Sequence, residues 1–211
     1  MKQKEFEKEL PSGYQQVFYL NAKSVKVGVI MNLIALVILA LVMVVAIILM
    51  ILTGNSDRGG YYVDDGRFII AMMVFIVAML AYIVLHELVH GIAYKWLTGE
   101  KLTFGISWSC AFCGVPNIYV KRRVALISCA APLVVFSIFF LALAGWYLFV
   151  NSWYYLLTAV LFGLHLGGCS GDIYIILLML FRYRNPETLI RDTGPEQTVY
   201  VPISDCERKG E

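Results

Sequence analysis

The sequence predicts an all-α integral membrane protein, with four transmembrane helices and one short β-hairpin-like loop between the second and the third. Composition and span length carry that expectation. Hydrophobic side chains make up 60% of the 211 residues and charged ones 15%, with a mean hydropathy of +0.74, which leaves too little polar surface to cover a water-soluble globule. The apolar residues gather into four stretches, near residues 27–53, 68–97, 124–150 and 153–181. Each is at or above the roughly 20 residues that a helix needs to cross a bilayer.

The first stretch follows a charged segment of more than twenty residues and lacks a small-residue cleavage site, so it reads as a retained anchor rather than a signal peptide. The cations set the orientation. Five Lys or Arg precede span one, Arg58 and Arg67 fall between spans one and two, five (Lys95, Lys101, Lys121, Arg122, Arg123) lie between spans two and three, and five follow span four. The positive-inside bias therefore puts both termini and the central loop in the cytoplasm, and the loop at residues 54–66 and the turn at Asn151 outside. Trp146, Tyr147, Trp153, Tyr154 and Tyr155 surround that turn as interfacial aromatics do. The net charge of +2 carries no basic cluster suited to nucleic acid.

Span two holds "IVLHELVHGIAYKW" (residues 83–96), and within it His86-Glu87-Leu88-Val89-His90 is an HExxH sequence. On a helix the two histidines stand one turn apart on one face, so both imidazoles reach one Zn²⁺, and Glu87 flanks the metal where it can take a proton from water and pass it to a leaving amine. Three polar side chains lining a bundle would be the plain alternative, but ionisable residues within spans mark function. Gly91 removes a side chain beside the site and leaves room for another helix or a substrate backbone.

A catalytic zinc needs a third protein ligand. Spans two and four run in the same direction. His86 lies 18 residues after Phe68 and Asp172 lies 19 after Trp153, so at about 1.5 Å per residue the two sit near one level, making Asp172 the expected third ligand. His165 is the alternative, as a ligand or as a neighbour holding the ligands. It sits two turns, or about 10 Å, nearer the outside, and would need span four to break. The run Gly167-Gly168-Cys169-Ser170-Gly171 permits a break and equally permits close helix packing. The outer halves of spans two and four hold almost no polar residue besides His165, which argues against a transporter.

Between Lys101 and Arg123, β-forming and turn residues predict a short hairpin with its bend at Gly114 to Asn117. Cys110 and Cys113 make a lone CxxC, read as packing thiols, and the five cysteines are expected free rather than in disulfides. Pro132 in span three frees backbone carbonyls and kinks its helix, or is an ordinary membrane-helix proline; both readings stand. Residues 1–184 form one expected membrane domain and 185–211 a loosely ordered cytoplasmic tail, although the alternation at Val199 to Ile203 would also suit a strand added to the hairpin edge.

Together "LPSGYQQVFYL", "HELVHGIAY", "AAPL" and "GGCSGDIY" cover most of the chain, and the set resembles the site-2 protease type of intramembrane metalloprotease. It is most similar to the small bacterial membrane proteins grouped as zincin peptidases. The resemblance implies His86 and His90 as zinc ligands, Glu87 as general base and Asp172 as third ligand. It further implies a multi-pass protein of a bacterial cell membrane, acting on a membrane-embedded or membrane-proximal protein or peptide. Around Asp172 the chain departs from that type, with Ser170-Gly171 before it and Ile173 after it in place of a Leu-Asp-Gly. A zinc-binding membrane scaffold without hydrolysis is the alternative function.

Overall fold

The computed structural model describes residues 5–54, 65–107 and 111–204. Most of the loop at 54–66, Cys110 of the CxxC, and Cys206 lie outside the described residues. In chain order the elements are β1 (Phe6–Glu7), β2 (Tyr14–Asn21), α1 (Val25–Leu52), α2 (Asp65–Thr98), β3 (Thr103–Ile106), β4 (Ala111–Gly114), β5 (Tyr119–Lys121), α3 (Arg122–Val150), α4 (Ser152–Gly168), α5 (Ser170–Leu177), a π-helical turn (Leu178–Arg182), β6 (Leu189–Asp192) and β7 (Glu196–Pro202). Helix dominates, and among the described residues three helices are long and apolar enough to cross a membrane: Val25–Leu52, Phe68–Thr98 and Arg122–Val150.

The fourth apolar stretch is not one helix. It divides at Cys169 into α4 and α5, which with the π turn qualify as either one broken crossing or a re-entrant loop. α4 ends at Gly168, where the Cys169 N–H still bonds to His165 O at 3.0 Å. Asn151 starts α4 by accepting from the N–H groups of Trp153 and Tyr154 at 3.0 and 3.1 Å, which satisfies donors that a helix start leaves open.

The chain divides into two units, Met1–Val29 with His86–Pro132 and Gly171–Glu211, and Ile30–Leu85 with Leu133–Ser170. The second unit is helical. Gly163 and Gly167 of α4 let α1 approach so closely that an added Cβ would meet Leu39 and Ala35, the small-residue packing that membrane helices favour. Ala46, Met50, Tyr155 and Ala159 form its buried centre. Leu33, Leu36, Val37, Leu41 and Val44 of α1 point outward, an arrangement suited to lipid rather than water.

The first unit carries more β-structure than the sequence predicts. Five antiparallel strands run in the order β1-β5-β6-β7-β2, and β3 and β4 make a separate pair. The segment expected as a loosely ordered tail supplies β6 and β7, so that expectation is corrected. Val199 and Val201 are buried on alternate positions of β7, the period-2 pattern of a half-buried strand. The alternation noted there does build a strand, but its partners are β6 and β2 rather than the hairpin edge.

The hairpin itself pairs Thr103 with Gly114 and Ile106 with Ala111, so the bend expected at Gly114 to Asn117 is not its reversal. The bend at Val115 to Ile118, closed by Ile118 N–H to Val115 O at 3.4 Å, instead carries the chain from β4 into β5. Buried Tyr94, Val115, Ile118, Val120, Val124, Cys129, Ile175, Met179, Ile190 and Val199 form one core. It ties the ends of α2 and α5 and the start of α3 to the sheet.

Candidate metal centre

Helix α2 places His86 and His90 one turn apart, both buried, with their Nε2 atoms 3.2 Å from each other. Asp172, in the first turn of α5, brings Oδ2 to 3.5 Å from His86 Nε2 and 3.4 Å from His90 Nε2. The three atoms form a nearly equilateral triangle. Tetrahedral zinc with bonds of roughly 2.0–2.2 Å has donor-to-donor edges of about 3.4 Å, so the donor set matches one face of that polyhedron in type and in size.

The hydrogen bonding also favours a cation. His90 Nδ1 lies 2.8 Å from the Ser128 carbonyl oxygen, which only accepts, so Nδ1 carries the hydrogen. In the neutral ring Nε2 is then a bare lone pair, and it faces a carboxylate oxygen and a second imidazole nitrogen. A proton would satisfy one edge of the triangle; a metal satisfies all three. The first turn of α5 further favours the Asp172 carboxylate through the helix dipole.

Glu87 is partly exposed beside the two histidines, and no hydrogen bond or ion pair commits its carboxylate to another described residue. Gly91, one residue past His90, does not open a gap. An added Cβ there would come 2.6 Å from the ring of Phe104, so β3 packs its aromatic side chain into that space. On the paired strand, Cys113 is buried, and burial first, then the nearby Glu87 and Asp192 carboxylates, push its thiol up to about 12. It stays protonated, as a packing thiol does.

His165 falls in the helical unit. Its Nδ1 lies 2.8 Å from Tyr82 Oη and 3.6 Å from Cys169 Sγ, and its Nε2 lies 3.2 Å from Ser137 Oγ. The ring stands among Phe136, Phe140 and Phe162. Hydrogen-bonding side chains thus engage both ring nitrogens.

A pair that sequence reasoning missed joins the sheet to α2. Tyr94, one turn past His90, donates from Oη to Asp192 Oδ2 at 2.6 Å, while Asp192 Oδ1 accepts the Gly194 N–H at 2.8 Å. Burial raises the Asp192 carboxyl to about 6 against these hydrogen bonds. The signal lay in "RDTGPE": an Asp two residues before a Gly marks a turn, and Gly194 takes a left-handed φ of 99° there.

A family model described as "Putative zincin peptidase" matches residues 79–186. The chain belongs to this family. Membership in a zincin peptidase family implies a zinc-dependent metallopeptidase, in keeping with the triangle of donors. The matched range holds His86, Glu87, His90, Ser128, Pro132 and Asp172, and stops short of β6, β7 and Asp192. No curated protein and no solved structure matches the chain.

Proposed function

We propose that this zincin peptidase is an intramembrane zinc endopeptidase of the site-2 protease type, hydrolysing a peptide bond in a membrane-embedded or membrane-proximal segment of a protein. The observation that carries the reading is the triangle of His86 Nε2, His90 Nε2 and Asp172 Oδ2 with an uncommitted Glu87 beside it. His86, His90 and Asp172 hold the metal. Bound zinc supplies Lewis acidity for the scissile carbonyl and acidity for the attacking water. Glu87 accepts the proton from that water and delivers it to the departing amine. Ser128 O keeps His90 turned so that Nε2 faces the site.

An extended substrate suits this chemistry better than a helical one, because a helix hides its carbonyls in its own hydrogen bonds. The β3–β4 pair has no third strand among the described residues. Since Phe104 of β3 packs on Gly91, a peptide added to that pair would run beside the HExxH turn. The charge bias along the sequence supports a cytoplasmic placement of the termini and of the site.

Glu87→Gln tests the reading. In cells producing either form at equal level, new protein N-termini in the membrane fraction should appear with the wild type and fall by about 10²–10⁴-fold in the variant, with bound zinc unchanged. Zinc bound at one per chain, with no cleavage that depends on Glu87, would instead assign the protein to the zinc-holding scaffold class.

A further inference from the structure

We infer that Pro132 is a positioning residue that fixes the tautomer of His90 through the carbonyl of Ser128. Helix α3 runs from Arg122 to Val150 with Pro132 inside it. In an α-helix the carbonyl of residue 128 accepts from the N–H of residue 132. Proline has no N–H, and its ring crowds the carbonyl four residues back. Ser128 O therefore lacks its regular helical donor, at a buried position where an unmet carbonyl is costly.

The replacement donor is His90 Nδ1 at 2.8 Å. Among the two neutral forms of imidazole only the one with hydrogen on Nδ1 can make this bond. That choice leaves Nε2 bare and directs its lone pair at Asp172 Oδ2 and His86 Nε2, 3.4 and 3.2 Å away. With an ordinary residue at 132, a backbone N–H would compete for the same carbonyl. His90 would lose the bond that excludes the other tautomer. A helix-interior proline, otherwise an expense, thus selects the protonation site of a side chain on a neighbouring helix.

The tautomer does not need a metal. Its consequence for zinc rests on the reading of His90 as a ligand, and the two are separable by experiment. Three full-length proteins are compared: the wild type, Pro132→Ala, and a chain with lactic acid at position 132, installed by nonsense suppression. Lactic acid lacks the ring but, having an ester oxygen in place of N–H, adds no donor. In metal-free protein labelled with ¹⁵N-histidine, at a pH where the ring is neutral, the His90 signals are assigned by their loss in His90→Gln.

The wild type and the ester chain should both show hydrogen on Nδ1, whereas Pro132→Ala should show a mixture of tautomers. Zinc affinity, measured by competition with a chromogenic chelator, should be about 10–100-fold weaker in Pro132→Ala and near wild type in the ester chain. Unchanged tautomer and affinity in Pro132→Ala would overturn the inference. So would an ester chain that loses the Nδ1 hydrogen, which also decides the matter if Pro132→Ala fails to fold. If the tautomer follows the donor at 132 but no form binds zinc, the inference stands and the metal reading falls.

Discussion

Asp192 offers a stability measurement with a defined sign. The residue is 4% exposed, and burial lifts its carboxyl from 3.8 to about 6 in the folded protein. The folded state therefore binds the proton more tightly than the unfolded chain does. The stability this contributes is fully present below about pH 4 and is lost as pH rises through about 6. At roughly 1.4 kcal/mol per pH unit the loss amounts to about 3 kcal/mol. Asp192→Asn has no proton to lose, while its amide oxygen still accepts from Tyr94 or Gly194. In detergent micelles, with unfolding followed by denaturant titration at pH 4, 5, 6 and 7, wild-type stability relative to Asp192→Asn should fall by about that amount across the range. A constant difference, or one that grows in favour of the wild type, would refute the burial argument for this carboxylate.

Backbone contacts give two further expectations. At Gly114 an added Cβ would overlap the backbone of Thr193 and Gly194, whereas at Gly145 nothing lies within 4 Å. Gly114→Ala should therefore cost more than about 2 kcal/mol and Gly145→Ala should be neutral or stabilising, as thermal melts of the two proteins would show. Truncation after Arg184 removes β6 and β7, which lie between β5 and β2 in the sheet. The remaining β1, β2 and β5 should become sensitive to limited proteolysis, and full protection would mean that the sheet does not depend on the C-terminal segment.

The site was legible because its chemistry is local. HExxH needs one helix turn, and counting residues along the second and fourth apolar stretches singled out Asp172, whose Oδ2 lies 3.5 and 3.4 Å from the two histidines. The sheet was much less legible. Its strands are short and come from three distant parts of the chain, and β1, only two residues long, is ordered by pairing with β5 across more than a hundred residues. Such pairing leaves little trace in local periodicity. The "TVYVP" alternation was visible, but without its partners it read first as tail and only second as strand. Tyr94 and Asp192 were hidden for the same reason, since each is unremarkable until the β6–β7 turn meets α2. The proline in span three carried a kink and a freed carbonyl in sequence; only the structure supplies the imidazole that uses it.

In the proposed function His86, His90 and Asp172 hold one zinc ion. Metal content per chain, measured by mass spectrometry on protein purified in detergent without chelator, tests it most directly. About one zinc is expected in the wild type, in Glu87→Gln and in His165→Ala, and close to none in His86→Ala, His90→Ala and Asp172→Ala. Full zinc in Asp172→Ala together with its loss in His165→Ala would contradict it.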